Sequence, residues 1–249
     1  MINIYSDDEI KKIKAAGHIN KKTHEYLASI AKAGVSTKFI DDEAGKFIKS
    51  MGGIPACKGY EGYPGNICVS INDEVVHGIG RDDVILQDGD IITFDIVVEL
   101  DGYMADSATT VRIGKVSKET EHLLYHTEKS LYVGLKELKA GVPLGNLSAR
   151  IQQYAEKHGL GVVRELGGHG IGHEMHEDPF IPNYGKYGSG ITLKKGMVIA
   201  VEPMLTAGKR DVAILDDDWT IVTQDGSAAA HYEHTVAITE DGYEILTGE

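Results

Sequence analysis

The stretch Asp90–Gly114 reads DIITFDIVVELDGYMADSATTVRIG. Two apolar runs flank Asp101-Gly102, a pair suited to the two-residue turn of a β-hairpin, where both central residues take positive φ. Placing the turn there sets the register. Leu100 falls opposite Tyr103, Val97 opposite Asp106, and Asp95 opposite Ala108. Asp95 and Asp106 then share one face as diagonal neighbours, about 7–8 Å apart at Cα. A slip of one residue would send them to opposite faces. An aspartate inside IITFDIVV is costly to bury unless something pairs with it. The hairpin therefore reads as one arm of a site that gathers acids.

The second half of the chain repeats the pattern. Gly89 precedes Asp95 by six residues through DIITF, and Gly196 precedes Glu202 by six through MVIAV. In each half a buried apolar strand is expected to end in a carboxylate. Glu233 lies in AAAHYEHTVAI, on the far arm of a second hairpin expected at Asp225-Gly226, with Trp219 about opposite Tyr232. Helices are expected after Ser6 (with Glu9 completing a capping box), Ser36, Ser117 and Asn146. Their apolar faces hold Ile10, Ile13, Ala16, Leu27 and Ile30; Ile40, Ala44, Phe47, Ile48 and Met51; Leu124, Leu131, Leu135 and Leu138; and Leu147, Ile151 and Ala155. The order helix, helix, strands occurs twice. This reads as a weak internal duplication, roughly 1–115 and 116–249, within one domain over 1–249 whose halves share a curved sheet.

The 249 residues leave ample room for a core. With 38 acidic and 25 basic residues the net charge is −13. That argues against nucleic acid or an anionic membrane as the main partner, since both need a basic face. A cationic or small substrate fits better. The opening MINIYSDDEIKKIK has no apolar segment, so no signal peptide is expected, and no run approaches a membrane span. The two cysteines, Cys57 and Cys68, form no C-x-x-C pair; by themselves they read as buried small side chains in a reducing cytosol.

GGHGIGHEMHEDP, residues 167–179, places His169, His173 and His176 within eight positions. It nearly spells the helical zinc-protease motif H-E-x-x-H, but Glu177 stands where the second histidine should be. Its glycines make a helix improbable. On an extended segment His169 and His173 would share a face with His176 opposite, unless a bulge redirects one. His77 in VVHGIG echoes GGHGIG, and spacing leaves its role, structural or catalytic, open. Asp95, Asp106, Glu202 and Glu233 with one of these histidines make five candidate ligands. Four carboxylates in one pocket repel one another unless cations intervene. Oxygen-rich ligation with one imidazole suits two five- or six-coordinate divalent ions, with Mn, Fe(II) or Co ahead of a closed tetrahedral zinc.

VVHGIG, TFDIVVELDGYMADSA, GGHGIGHEMHEDP, VIAVEPM and DDDWTIVTQDGSAAAHYEHT together resemble the bacterial type 1 methionine aminopeptidases, over almost the whole chain. The resemblance implies an α+β pita-bread fold, with two pseudo-symmetric halves and a curved antiparallel sheet covered by two pairs of helices. It implies a cytoplasmic, monomeric hydrolase that removes the initiator methionine before a small second residue. Two divalent ions (Co, Mn, Fe(II) or Zn) are implied. Asp95 would chelate one ion, His169 and Glu202 the other, and Asp106 and Glu233 would bridge them. His77 and His176 would contact substrate, and Glu202 would accept the proton of the attacking water. GYEGYP implies a methionine pocket of Cys57, Tyr60, Tyr63, Cys68 and Trp219. The partners implied are a peptide or nascent chain with Met first, and transiently the ribosome, with no DNA or membrane.

Only 26 positions separate His176 from Glu202, which leaves no room for the type 2 insertion. The zinc-binding N-terminal extension of some eukaryotic forms is not expected either. His173, Met175 and Phe180 depart from the usual pattern, which leaves residue preference beyond the methionine open. Rival readings are a prolidase or aminopeptidase P, a non-catalytic binding module on the same fold, and a dinuclear phosphoesterase.

Overall fold

The computed structural model describes residues 2–248. Helices α1 (Asp7–Ile30) and α2 (Thr37–Ser50) lead into strands β1 (Ile54–Pro55), β2 (Cys68–Ile71), β3 (Glu74–Val76), β4 (Ile91–Leu100) and β5 (Tyr103–Arg112). Helices α3 (Lys118–Leu135) and α4 (Gly145–Lys157) lead into β6 (Gly161–Val162), β7 (Gly167–Gly170), β8 (Glu177–Pro182), β9 (Val198–Val201) and β10 (Met204–Thr206). Strands β11 (Val212–Ile214), β12 (Ile221–Thr223), β13 (Ala229–His231), β14 (His234–Ile238) and β15 (Tyr243–Ile245) complete the chain.

Three helices start where the sequence places them. Ser6, Ser36 and Ser117 each accept a hydrogen bond from the main-chain N–H three residues on, and Glu9 returns the capping-box bond to Ser6. Helix α4 does not start on Asn146. It begins at Gly145 without a side-chain cap, because the 185–191 loop takes over the task. The Gly145 N–H donates to the Ser189 carbonyl at 2.9 Å, and Asn146 Oδ1 accepts from Gly188 N at 2.8 Å. On α2 the core face is narrower than expected. Ile40, Ala44 and Ile48 are fully buried, but Met51 is exposed and Phe47 stacks on Tyr26 at 4.6 Å.

The hairpin follows the register read from its turn. Asp101 (φ 52°) and Gly102 (φ 78°) form the left-handed tip, and the ladder runs from Leu100↔Tyr103 to Ile91↔Arg112 with Asp95↔Ala108 and Val97↔Asp106. Ile92, Phe94, Ile96 and Val98 pack toward α1 and α2. The alternate residues, Asp95 and Val97 among them, face the other way, as period-two alternation requires.

The second half is more broken than the sequence suggests. GMVIAVEPM divides into β9 and β10 at Glu202-Pro203, and AAAHYEHTVAIT divides into β13 and β14 at Tyr232-Glu233. At each break the chain changes partners. β9 lies between β7 and β14, whereas β10 lies between β6 and β13. The hairpin expected at Asp225-Gly226 does not form. The Asp225 carboxylate accepts from Lys209 N at 2.7 Å and from Ser227 N at 3.1 Å, tying the turn to the 207–210 loop. β13 then pairs with β10, and β12 pairs with β11 and β3. Trp219 consequently lies against Tyr63, ring centroids 5.1 Å apart, instead of opposite Tyr232.

The halves meet along β5 and the β13–β14 chain. Glu233 N donates to the Ala108 carbonyl at 2.9 Å. On one side Thr235 Oγ1 accepts from Asp106 N at 2.9 Å and donates to Asp106 O at 2.7 Å. On the other Thr110 Oγ1 accepts from His231 N and donates to His231 O, both at 2.9 Å. The arrangement is reciprocal: each half lends a threonine to the main chain of the other. Main-chain ladders alone divide the described residues into four sheets; this seam joins the sheet of β4 and β5 to the two that contain β13 and β14.

Replacing Thr235 by Val keeps its shape but leaves both main-chain groups of Asp106 without partners. A loss of about 2–3 kcal/mol is expected from two lost bonds and the stranded polar groups, read by urea unfolding of the metal-free protein. A loss below about 0.5 kcal/mol would show that the seam does not hold the halves.

Candidate metal centre

The fold brings all five candidate ligands together. Asp106, His169 and Glu233 are buried, and their donor atoms lie within 4.8 Å of one another. His169 Nε2 is 3.8 Å from Asp106 Oδ2 and 3.6 Å from Glu202 Oε1. Asp95 and Glu202 are partly covered and open onto cavities. Asp95 sits in the middle of β4, between Cys68 and Ala108, and not at a strand end as expected. Glu202 and Glu233 occupy the two strand breaks. A break frees a side chain from strict alternation, which lets both acids turn to the centre.

The electrostatics follow from crowding. Burial raises the Asp95 carboxyl to about 6. Burial and then the charge of Glu233 push Asp106 well up. Glu202 rises through burial and Asp95, and Glu233 through burial and Glu202. Asp106 Oδ1 and Glu233 Oε1 are buried with no hydrogen-bond partner among the described residues. His169 has the opposite problem: burial drives its pKa down to about 4, so the ring is neutral. Its Nδ1 lies 2.9 Å from the Gly170 carbonyl. That contact requires the proton on Nδ1 and leaves the Nε2 lone pair toward the acids. Stranded carboxylate oxygens beside a free imidazole lone pair fit divalent cations.

The glycine-rich segment gets His169 there by close approach. A Cβ on Gly168 would meet Ala200 O at 2.1 Å, and one on Gly170 would meet Asp178 O at 2.2 Å. The ladder shifts between Gly168 and Gly170, and the chain reverses so that Gly170 pairs with Glu177. His169 and His176 therefore face each other, centroids 4.4 Å apart. The irregularity at the glycines is the exception allowed for in the sequence, so His169 and His173 do not share a face. His173 turns away, its ring 4.6 Å from that of Tyr103 and its Nε2 3.7 Å from Glu9 Oε1.

Two cavities flank the centre and share His77 and His176. One, about 240 Å³, is lined by Cys57, Tyr60, Tyr63, Cys68, Val97, Met175 and Trp219, with Asp95 and Asp106 on its wall. Every pocket residue expected from the sequence is present, and both cysteines are free. The other, about 430 Å³, is walled by Leu166, His169, Phe180, Glu202 and Met204. Tyr60 OH lies 2.8 Å from His176 Nδ1. His77 has φ 58°, unusual for a non-glycine residue. The next residue is pinned: Gly78 N donates to Ser70 Oγ, and Gly78 O accepts from Val69 N and Tyr63 OH. Burial takes the His77 pKa down to about 4.

One residue escaped the sequence reading. His231 is buried in the cluster, its Nε2 3.8 Å from Glu202 Oε2 and 3.7 Å from Glu233 Oε2. The alternation His231-Tyr232-Glu233 was the available signal, since residues two apart share a face.

The chain matches Metallopeptidase family M24 over residues 11–240. It is 51% identical over 247 residues to methionine aminopeptidase 1 of Bacillus subtilis, covering 99% of each chain. The crystal structure of methionine aminopeptidase from Rickettsia prowazekii superposes with a TM-score of 0.98 at 40% identity, with complete coverage of both. Xaa-Pro dipeptidase from Bacillus anthracis superposes at 0.78, with 24% identity and coverage of 99% of this chain and 62% of the other; that likeness shows the fold alone. The fold is the pita-bread fold.

A divalent ion entering this cluster must displace the protons that burial has placed on the acids. Their occupancy falls as pH rises, so apparent metal affinity should climb through about pH 5–7, around the Asp95 value of about 6. Titration calorimetry in two buffers of different ionisation enthalpy should report net proton release. No release would exclude these acids as the binding groups.

Proposed function

The chain belongs to metallopeptidase family M24 and, within it, to the methionine aminopeptidases; we propose that it removes the N-terminal methionine of peptides and nascent chains at a two-ion centre held by Asp95, Asp106, His169, Glu202 and Glu233. The observation that carries this is the convergence of those five side chains between two cavities that share His77 and His176. On this reading Asp95 would help hold one ion, His169 and Glu202 the other, and Asp106 and Glu233 would serve both. Bound there, Co, Mn, Fe(II) or Zn supplies Lewis-acid activation of water and of the scissile carbonyl.

The protein's own groups do the rest. The smaller cavity takes the methionine side chain. Its thioether meets Cys57, Cys68 and Val97 on apolar surface and the Tyr63 and Trp219 rings, with which sulfur makes favourable contacts. The larger cavity receives the residue that follows. Glu202, on the wall of the larger cavity, accepts the proton of the attacking water at a carboxylate oxygen and passes it to the leaving nitrogen. Burial lowers the pKa of both His77 and His176, so both rings are neutral at pH 7. With Tyr60 OH donating to His176 Nδ1, Nε2 carries the proton and donates to the carbonyl oxygen as charge grows there. His77, fixed by its left-handed turn, holds the scissile amide nitrogen.

Neither cavity is lined by lysine or arginine among the described residues, which disfavours phosphate ester chemistry. The reading also takes residues 1–249 as one catalytic domain of two repeats, roughly 1–115 and 116–249; the reciprocal threonine seam supports it. It includes a cytoplasmic monomer that meets the ribosome transiently. No helix among the described residues is long and apolar enough to cross a membrane. Sedimentation velocity with and without ribosomes tests the monomer and the contact.

Metal-free protein resupplied with Co, Mn, Fe(II) or Zn should cleave Met-Ala-Ser and leave Met-Leu-Ser nearly intact; equal cleavage would refute the preference for a small second residue. Glu202→Ala should lose metal and activity together. His77→Ala should keep its metal while kcat/KM falls at least about 100-fold, the scale of a lost proton-handling or polarising group. An active, metal-free Glu202→Ala protein would sink the assignment.

A further inference from the structure

The five-ligand reading leaves His231 without a role, yet this ring sits deeper than His169. Its side chain is 1% exposed. Neither Nδ1 nor Nε2 has a hydrogen-bond partner among the described residues. Buried polar atoms are seldom left so, because the lost hydration goes uncompensated. Nε2 lies 3.8 Å from Glu202 Oε2 and 3.7 Å from Glu233 Oε2. Hydrogen bonds of this kind span about 2.7–3.2 Å, so neither contact is one.

The distances match a different relation. Donors held at about 2.0–2.2 Å by one ion stand about 3–4 Å from each other. His169 Nε2 stands at 3.8 and 3.6 Å from its two carboxylates. Each imidazole thus bears the same relation to a pair of acids, and Glu202 belongs to both pairs, through Oε1 for His169 and Oε2 for His231. The backbone holds the second ring as firmly as the first. Thr110 clamps both main-chain groups of His231, and β13 pairs it with Met204, two residues beyond Glu202.

We propose that His231 is a sixth donor of the metal centre, supplying a second imidazole through Nε2 to an ion it shares with Glu202 and Glu233. The proposal rests on the reading of this cluster as a metal centre. A second nitrogen donor moves the site away from the all-oxygen ligation that suits Mn and toward Co, Fe(II) or Zn.

Proton NMR of the protein loaded with two equivalents of Co(II) decides it. Each cobalt-bound imidazole whose other nitrogen bears hydrogen gives one strongly shifted, solvent-exchangeable N–H signal. The wild-type protein should show two, and His231→Gln should show one. Cobalt affinity at the weaker site should fall at least about tenfold in the variant, the lower end for a disturbed metal ligand shell. The surviving His169 signal reports that the variant is folded; if His231→Gln does not fold, His231→Asn serves the same comparison. A single signal in the wild type, or two that persist in the variant, overturns the proposal and leaves the centre standing. No shifted signal in the wild type overturns the proposal together with the metal-centre reading beneath it.

Discussion

Four carboxylic acids face one another across a space lined by two sheet edges and a glycine-rich strand, and their mutual repulsion governs the middle of this molecule. All four are pushed toward their protonated forms by loss of water, and Asp106, Glu202 and Glu233 also by the charge of neighbouring acids. Cations relieve the repulsion, but only where the acids are held against moving apart. The surrounding structure supplies that restraint. Asp95 and Asp106 ride a ten-residue hairpin ladder, and Glu202 and Glu233 sit at corners where the chain passes from one sheet to the next.

The threonine seam makes this restraint mutual. Thr235 holds the main chain of Asp106, Thr110 holds that of His231, and Glu233 N closes the middle on Ala108. A hydroxyl that accepts and donates at one residue stands in for a missing ladder rung. Thr110 already donates to His231 O, so Thr93, 2.7 Å away, must be the donor in their contact. The second layer of hydroxyls thereby extends the brace into β4, two residues from Asp95.

Much of this is legible in the sequence alone. The tip Asp101-Gly102 fixed the register because its φ values admit few alternatives, and the register alone placed Asp95 beside Asp106. Ser6, Ser36 and Ser117 marked helix starts through a local bond that needs no tertiary partner. The failures share a cause. Asn146, the Asp225-Gly226 turn and Trp219 were misplaced because distant partners, the 185–191 loop, Lys209 and Tyr63, decided their positions. The breaks at Glu202-Pro203 and Tyr232-Glu233 are hidden because strand-like residues continue on both sides of each, and strand pattern does not say where a chain changes sheets. Within the glycine-rich segment the extended form was legible, but the reversal that sets His169 against His176 was not. His231 is hard to single out in the sequence because its neighbour Glu233 suffices to explain the stretch.

The reciprocal seam also bears on how such a chain can vary. Where two halves of a fold are independent, each can change on its own, provided its own core survives. Here a threonine in one half serves a residue of the central cluster in the other, so a change at Thr235 is felt at Asp106 and a change at Thr110 at His231. The two halves are unequal, as mid-strand Asp95 against corner-placed Glu202 shows, without being independent. The halves are coupled pairwise, and a tolerated substitution on one side of the seam depends on what already stands on the other.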